Sequence, residues 1–281
     1  MTPTINFENN KPVVFLPSGT KLNRHFKLKE DQFIRVKNLL AAGDTNTKLN
    51  KSNKSSKEYK TYGLSLSPHK LGNYPGNRWN NCENASPACI NACIHGSGLG
   101  GVFESIAISR LCKTIVYQLC NKWFLDRLDK EVHNKTIAAQ KQNHLVAIRP
   151  NVFSDLAFEE TGIIDNHPGV QWYDYTKDPN RAGALRENYW VTFSRSEVNE
   201  WHTTRLLNRG YNVAIVFGHP EKRNKTVLPD TYKGHEVING DLDDLRFRDP
   251  RGGIVVGLEL KTHSLKEYQK AIKSGFPVLT S

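Results

Sequence analysis

Three thiols define the chemistry this chain is equipped to do. Cys82, Cys89 and Cys93 fall within twelve residues, with six and then three residues between them. Cys89 and Cys93 are one helical turn apart, which places both sulfurs on one face, and the loop holding Pro87 can fold Cys82 back towards them. Three clustered thiolates suit an iron–sulfur cluster that keeps one iron open. They equally suit zinc completed by His95 or a water. A glycine-rich turn follows directly, and Gly96, Gly98, Gly100 and Gly101 allow close backbone approach to an anion or cofactor. Cys112 and Cys120 lie on a helical pattern and read as core. Five cysteines, three of them clustered, point to metal rather than disulfides in a reducing compartment.

The elements that must position these residues follow from periodicity. A strand is expected at 61–68, just before the cysteines. Apolar residues from Ile106 to Val132 recur at helical spacing and predict two helices broken near 120–123. Short buried-type strands are then expected at 145–149, 170–175, 189–194, 212–217, 236–239 and 253–261, with helices at 154–160, 197–208 and 265–273. This rhythm predicts an α/β fold with a mainly parallel sheet, a full or partial (β/α) barrel. The N-terminal residues 1–58 read as a mixed extension. They carry an amphipathic helix at 30–42 and a flexible lysine-rich loop, ahead of an α/β domain at 59–281.

Polar residues bunch at the carboxyl ends of these strands, where parallel α/β folds build active sites. Arg149, Asn151 and Asp155 follow the first and Asp174 and Lys177 the second. Arg195 follows the third, and Asp241 and Asp244 a later one. Asp155, Asp174, Lys177, Arg195, Asp241 and Asp244 are the catalytic candidates, and Arg149, Asn151 and Arg195 the candidates for nucleic-acid contact. A separate pattern, Asp249 with Glu259 and Lys261, would suit a magnesium-dependent nuclease.

The formal net charge is +11, from 39 Lys and Arg against 28 Asp and Glu. That balance favours a polyanionic partner, nucleic acid or nucleotide. No apolar run is long enough for a membrane span, and no signal-like start is present, so a cytoplasmic protein is expected. The oligomeric state is left open. A non-catalytic nucleic-acid-binding or host-takeover protein, with zinc fixing a loop, is a competing expectation.

Three stretches together resemble an uncharacterised bacteriophage protein family. One is Tyr62-Gly-Leu-Ser-Leu-Ser-Pro68 leading through the cysteines and glycines to Ser109-Arg-Leu-Cys-Lys-Thr114. Another joins Ile148-Arg-Pro-Asn-Val-Phe-Ser-Asp155 to Val170-Gln-Trp-Tyr-Asp-Tyr-Thr-Lys177. The third joins Thr192-Phe-Ser-Arg-Ser-Glu197 to Gly240-Asp-Leu-Asp-Asp-Leu-Arg-Phe-Arg-Asp-Pro250 and Val255-Val-Gly257. The cysteine segment is also distantly similar to that of radical S-adenosylmethionine enzymes, whose usual spacing is three and then two intervening residues. That resemblance implies an iron–sulfur cluster with S-adenosylmethionine at the mouth of a partial barrel, and the phage resemblance implies the cytoplasm of a host cell.

Overall fold

A computed structural model describes residues 2–43, 58–71, 79–96, 99–221, 223 and 226–280. The lysine-rich segment at 44–57 and Gly98 lie outside the described residues. Strands β1 (Thr4–Glu8), β2 (Lys11–Leu16) and β3 (Gln32–Arg35) form a small antiparallel sheet. A second sheet holds eleven strands. Its body is parallel and follows chain order: β5 (Tyr59–Leu64), β6 (Leu145–Arg149), β7 (Val170–Thr176), β9 (Tyr189–Ser194) and β10 (Val213–Gly218). Then come β13 (Val255–Glu259) and β12 (His235–Asn239), also parallel. β4 (Leu40–Ala42), β8 (Gly183–Arg186) and β11 (Thr231–Tyr232) pair antiparallel at the margins, and β14 (Val278–Leu279) joins β10.

Neighbouring parallel strands in chain order, linked by right-handed crossovers, put their connections on one side of the sheet. The long connection from β5 to β6 supplies most of that layer. It contains α1 (Pro87–Asn91), α2 (Leu99–Val102), α3 (Glu104–Leu119) and α4 (Asn121–Gln140). Ile108, Leu111 and Ile115 of α3 and Phe124, Leu128 and Val132 of α4 pack in one core with Val146, Ile148, Val170, Trp172 and Val191 of the sheet. Cys112 is buried in that core and Cys120 packs at its margin, where it ends α3. Val14, Leu16, Leu22 and Leu28 share the same core, so residues on both sides of position 58 are packed together. α5 (Glu200–Asn208) packs on β10, while Tyr268 and Ala271 of α6 (Leu265–Lys273) form a small cluster with Val216. Of the mainly parallel sheet and full or partial barrel expected from the sequence, the mainly parallel sheet is present; among the described residues it ends in β4 on one side and β11 on the other and does not close into a barrel.

Two expected helices are absent. Over 30–42 the chain forms β3 and β4 instead. Glu131 of α4, itself buried, accepts the amides of Leu39 and Leu40 at 3.0 Å, which takes donors that a helix there would use. β3 meanwhile pairs in register with β2, and its burial alternates as a strand's does. Over 154–160 only one turn, Phe158–Glu160, is helical. Asn151 Oδ1 accepts the Leu156 amide at 2.9 Å, and the Asp155 amide donates to the Asn81 carbonyl at 2.7 Å, so neither joins a helix.

Candidate functional site at the carboxyl edge of the parallel sheet

The cysteine segment lies against the carboxyl ends of β6, β7 and β9. Pro87 starts α1 and Ser86 caps it, its Oγ accepting the Cys89 amide at 3.1 Å. That same hydroxyl donates to Glu197 Oε2 at 2.7 Å, and Glu197 Oε1 accepts the Ala88 amide at 3.0 Å. Glu197, which follows β9, thereby clamps the start of α1. The Cys82 thiol donates to the Phe153 carbonyl at 3.5 Å, just beyond β6. Asp155 follows two residues later. Its Oδ2 accepts the Lys177 amide at 2.9 Å and its Oδ1 pairs with Arg181 at 2.7 Å.

None of the three cysteines is in a disulfide, and each is partly exposed. Burial pushes the Cys82 thiol well up, and Cys93, Asp155 and Cys89 add to the shift. Cys89 is also raised, first by burial; Lys177 opposes the shift while Glu197 and Asp155 add to it. The thiols therefore sense one another and the same strand-end charges. In kind they fit a thiophilic metal. Among the described residues, however, no three His, Cys, Asp or Glu side chains converge closely enough to hold an ion. Binding one needs the loop to draw in and the thiols to deprotonate, and the metal itself drives that deprotonation.

Around them stand Arg110, which the sequence pattern did not single out, and His95, the expected fourth zinc ligand. Arg110 of α3 lies over the Phe153 ring at 4.1 Å and donates to the His95 carbonyl at 3.0 Å. Burial lowers its pKa to about 10, and Cys93 works in the opposite direction. The signal was a cation within the buried stripe Ala107, Leu111 and Thr114. His95 sits edge-on to Phe153 and is almost fully buried, and among the described residues its Nε2 has no hydrogen-bond partner. Burial, then Arg110 and Arg24, lowers it to about 3, so the ring is neutral.

Much of the space beside the candidate glycines is filled by the chain itself. A Cβ on Gly100 would meet the Arg110 guanidinium at 2.3 Å, and one on Gly101 the Gly96 carbonyl at 2.5 Å. Gly96 is packed against Arg24.

The remaining candidates form separate groups. Lys177 Nζ donates to Ser194 Oγ at 3.1 Å, beside the cysteine segment. Arg195 pairs with Glu200 at 2.8 Å and donates to the Phe276 carbonyl at 2.8 Å, which ties down the C-terminal segment. Asp241 pairs with Lys261 and accepts the Glu259 amide at 2.7 Å, whereas Asp249 pairs with Arg246 at 3.3 Å. The nuclease pattern is thus divided between two ion pairs.

Arg149, Asn151, Asp174 and Asp244 make a buried knot at the ends of β6 and β7. Arg149 reaches Asp244 at 2.8 Å and lies over the Tyr175 ring at 4.5 Å, with Asp174 3.8 Å from its Nε. Asn151 donates to Asp174 Oδ2 at 2.7 Å. Burial, the largest influence, pushes Asp174 up to about 7 against the pull of Arg149. Of the aromatics near charges, Tyr173 and Tyr175 belong to this interior, Trp172 is buried in the helix-side core, Trp190 stacks under Arg251 at 3.3 Å, and Trp201 is exposed.

An open α/β sheet whose parallel strands run in chain order from β5 to β10, with a thiol-bearing loop against their carboxyl ends, defines the class. Within it the chain belongs to the Gene product 88 family, a phage-type family whose model matches residues 38–277. No curated protein matches it, and no solved structure does. No described helix is long and apolar enough to cross a membrane.

Proposed function

We propose that Cys82, Cys89 and Cys93 hold an iron–sulfur cluster, and that the chain is a phage-type metalloprotein acting on nucleic acid or nucleotides, in the manner of a radical S-adenosylmethionine enzyme. The observation that supports this reading is the joint placement of three thiols outside any disulfide with Asp155, Lys177 and Glu197 at one carboxyl edge. When bound, a cluster with three thiolate ligands supplies an electron and leaves one iron open to a cofactor or substrate. Glu197 fixes the entry to the cysteine helix, and Arg110 offsets the negative charge that Cys93 carries as a thiolate. Asp155 and Lys177 set the charge on the substrate side. The net charge of +11 favours a polyanionic substrate.

Zinc is the second reading, favoured by the buried, unpartnered His95 Nε2 two residues after Cys93. Purification without oxygen, followed by iron, sulfide and zinc analysis, decides between them. The expected result is iron with acid-labile sulfide and a brown absorbance, both lost in Cys89→Ser. Stoichiometric zinc with no iron selects the second reading. Neither metal after reconstitution ends both.

A further inference from the structure

The family match begins at residue 38, so the small sheet of β1, β2 and β3 precedes it. One face of this sheet is committed to the interior. Val14 and Leu16 are buried in the main core, and Ile5 and Ile34 pack against it. Strand alternation sends Thr4, Val13, Phe15, Phe33 and Arg35 to the other face, where Val13 is buried, Phe15 half-buried and Phe33 exposed. Phe15 and Phe33 are directly paired across β2 and β3, their rings 5.0 Å apart and tilted by 42°. Phe33 is 68% exposed, just ahead of Trp201 at 65% among the exposed aromatic side chains. Phe33, set against the half-buried Phe15 on the outer face, lies outside the core, and its exposure favours association.

The surroundings indicate the kind of partner. Residues 2–42 hold Lys11, Lys21, Lys27, Lys29, Lys37, Arg24 and Arg35 against Glu8, Glu30 and Asp31. Those five lysines are exposed, Glu8 is paired with Arg35, and Asp31 accepts the Ser18 amide. Strand parity puts Lys11 and Arg35 on the phenyl face, and the exposed Lys21, Lys27 and Lys29 lie in the β2–β3 connection that follows it, whereas Arg24 pairs with Glu267 at 3.1 Å. A protein partner with an apolar patch would use the rings but not the charges. Duplex nucleic acid would use the charges but not the rings, since its bases are already stacked. Single strands use both: phosphates meet the cations while unpaired bases stack on the phenyl rings.

We infer that the outer face of the β1–β3 sheet is a docking platform for single-stranded nucleic acid, with Phe33 and Phe15 as the stacking surface. It rests on the nucleic-acid part of the function proposed above and is independent of the metal. The platform brings a strand to the protein, and its tolerance for sequence follows from stacking, which every base offers.

The test is fluorescence anisotropy with labelled oligothymidylate and oligouridylate, and with a duplex of equal length, on the full chain at low salt. Single strands should bind more tightly than the duplex. Phe33→Ala, at a site too exposed to disturb folding, should weaken single-strand binding about ten-fold with the salt dependence kept, and Phe33→Trp should restore it. Lys27→Ala with Lys29→Ala should instead flatten the salt dependence. Preference for the oligouridylate or oligothymidylate assigns the strand as RNA or DNA and supports the platform either way. Wild-type binding unchanged in Phe33→Ala overturns the platform while leaving nucleic-acid binding elsewhere intact. No wild-type binding at low salt overturns both. Loss of concentration-dependent self-association in Phe33→Ala, with strand binding unaltered, assigns the face to a second copy of the chain and overturns the proposal. Metal content should be the same in all these variants, which keeps the result separate from the cluster.

Discussion

Two sheet faces in this molecule carry the same ingredients and use them in opposite ways. The interior face of the large sheet sets Arg149 over Tyr175 with Asp244 as its counter-ion. The outer face of the small sheet sets Arg35 beside Glu8, with Phe15 and Phe33 alongside. The first is covered by the segment after β12, whose turn at Arg246–Arg248 packs on β7 and β9 and buries Leu245 and Arg246. Phe247 from that turn meets Tyr59 at 5.3 Å and Tyr173 at 5.8 Å. The second has no such cover over Phe33. What differs is desolvation. In the covered face each charge needs a partner within the protein, whereas in the open face water or a ligand can supply it. The interior knot therefore fixes an arrangement, and the exposed face stays available.

The comparison breaks most sharply at Arg149. Arg149→Met leaves Asp244 and Asp174 without their buried cation, and the expected loss is about 3–5 kcal/mol in denaturant unfolding. Adding Asp244→Leu should recover part of this, because the second orphaned charge is removed as well. A loss no larger than that of an ordinary surface change would show the interior face to be well hydrated, and the contrast with Arg35 would disappear.

How far the sequence carried this picture depended on whether a residue's partner was near in the chain. β6 and β9 and the helix Leu265–Lys273 were legible because their apolar residues follow their own period. The break at Cys120 was legible for the same reason. Residues 30–42 were misread because Phe33, Val36, Leu39 and Leu40 also fit a helical spacing. The deciding contact comes from Glu131, about ninety positions away. The bunching of polar residues at strand ends was visible, but not its division into groups. Arg149 and Asp244 are 95 positions apart, and nothing local says that they meet. Asp155 and Lys177, by contrast, follow adjacent strands, so their meeting beside the cysteines follows from strand order.

A smaller and pH-dependent effect should sharpen the interior side. Asp174 titrates at about 7 in the folded chain, raised chiefly by burial, against about 3.9 when unfolded. Below about pH 4 the carboxyl is neutral in both states and its contribution to stability is fully present. From about pH 4 to 7 the unfolded chain has released the proton that the folded chain retains, so stability falls as pH rises. Asp174→Asn cannot ionise. Its unfolding free energy relative to the parent should therefore shift in favour of the variant across that window and level off above it. Urea melts at pH 5, 6, 7 and 8 measure this directly. A constant difference at every pH would mean that Arg149 already holds the carboxylate ionised.

The smallest effect belongs to the open face. Arg35 and Glu8 form an ion pair with side chains 43% and 54% exposed, so solvent screens most of their attraction. Arg35→Gln should lower stability by about 0.2–1 kcal/mol, and less at high salt. The measurement is the same denaturant unfolding used for Arg149→Met, run at two salt concentrations. If Arg35→Gln costs as much as Arg149→Met and does not respond to salt, the outer face is covered in solution by something that excludes water. The strand-binding platform would then have to be occupied or buried in the free protein. A small, salt-sensitive loss leaves that face open, with a cation and two phenyl rings that folding does not use up.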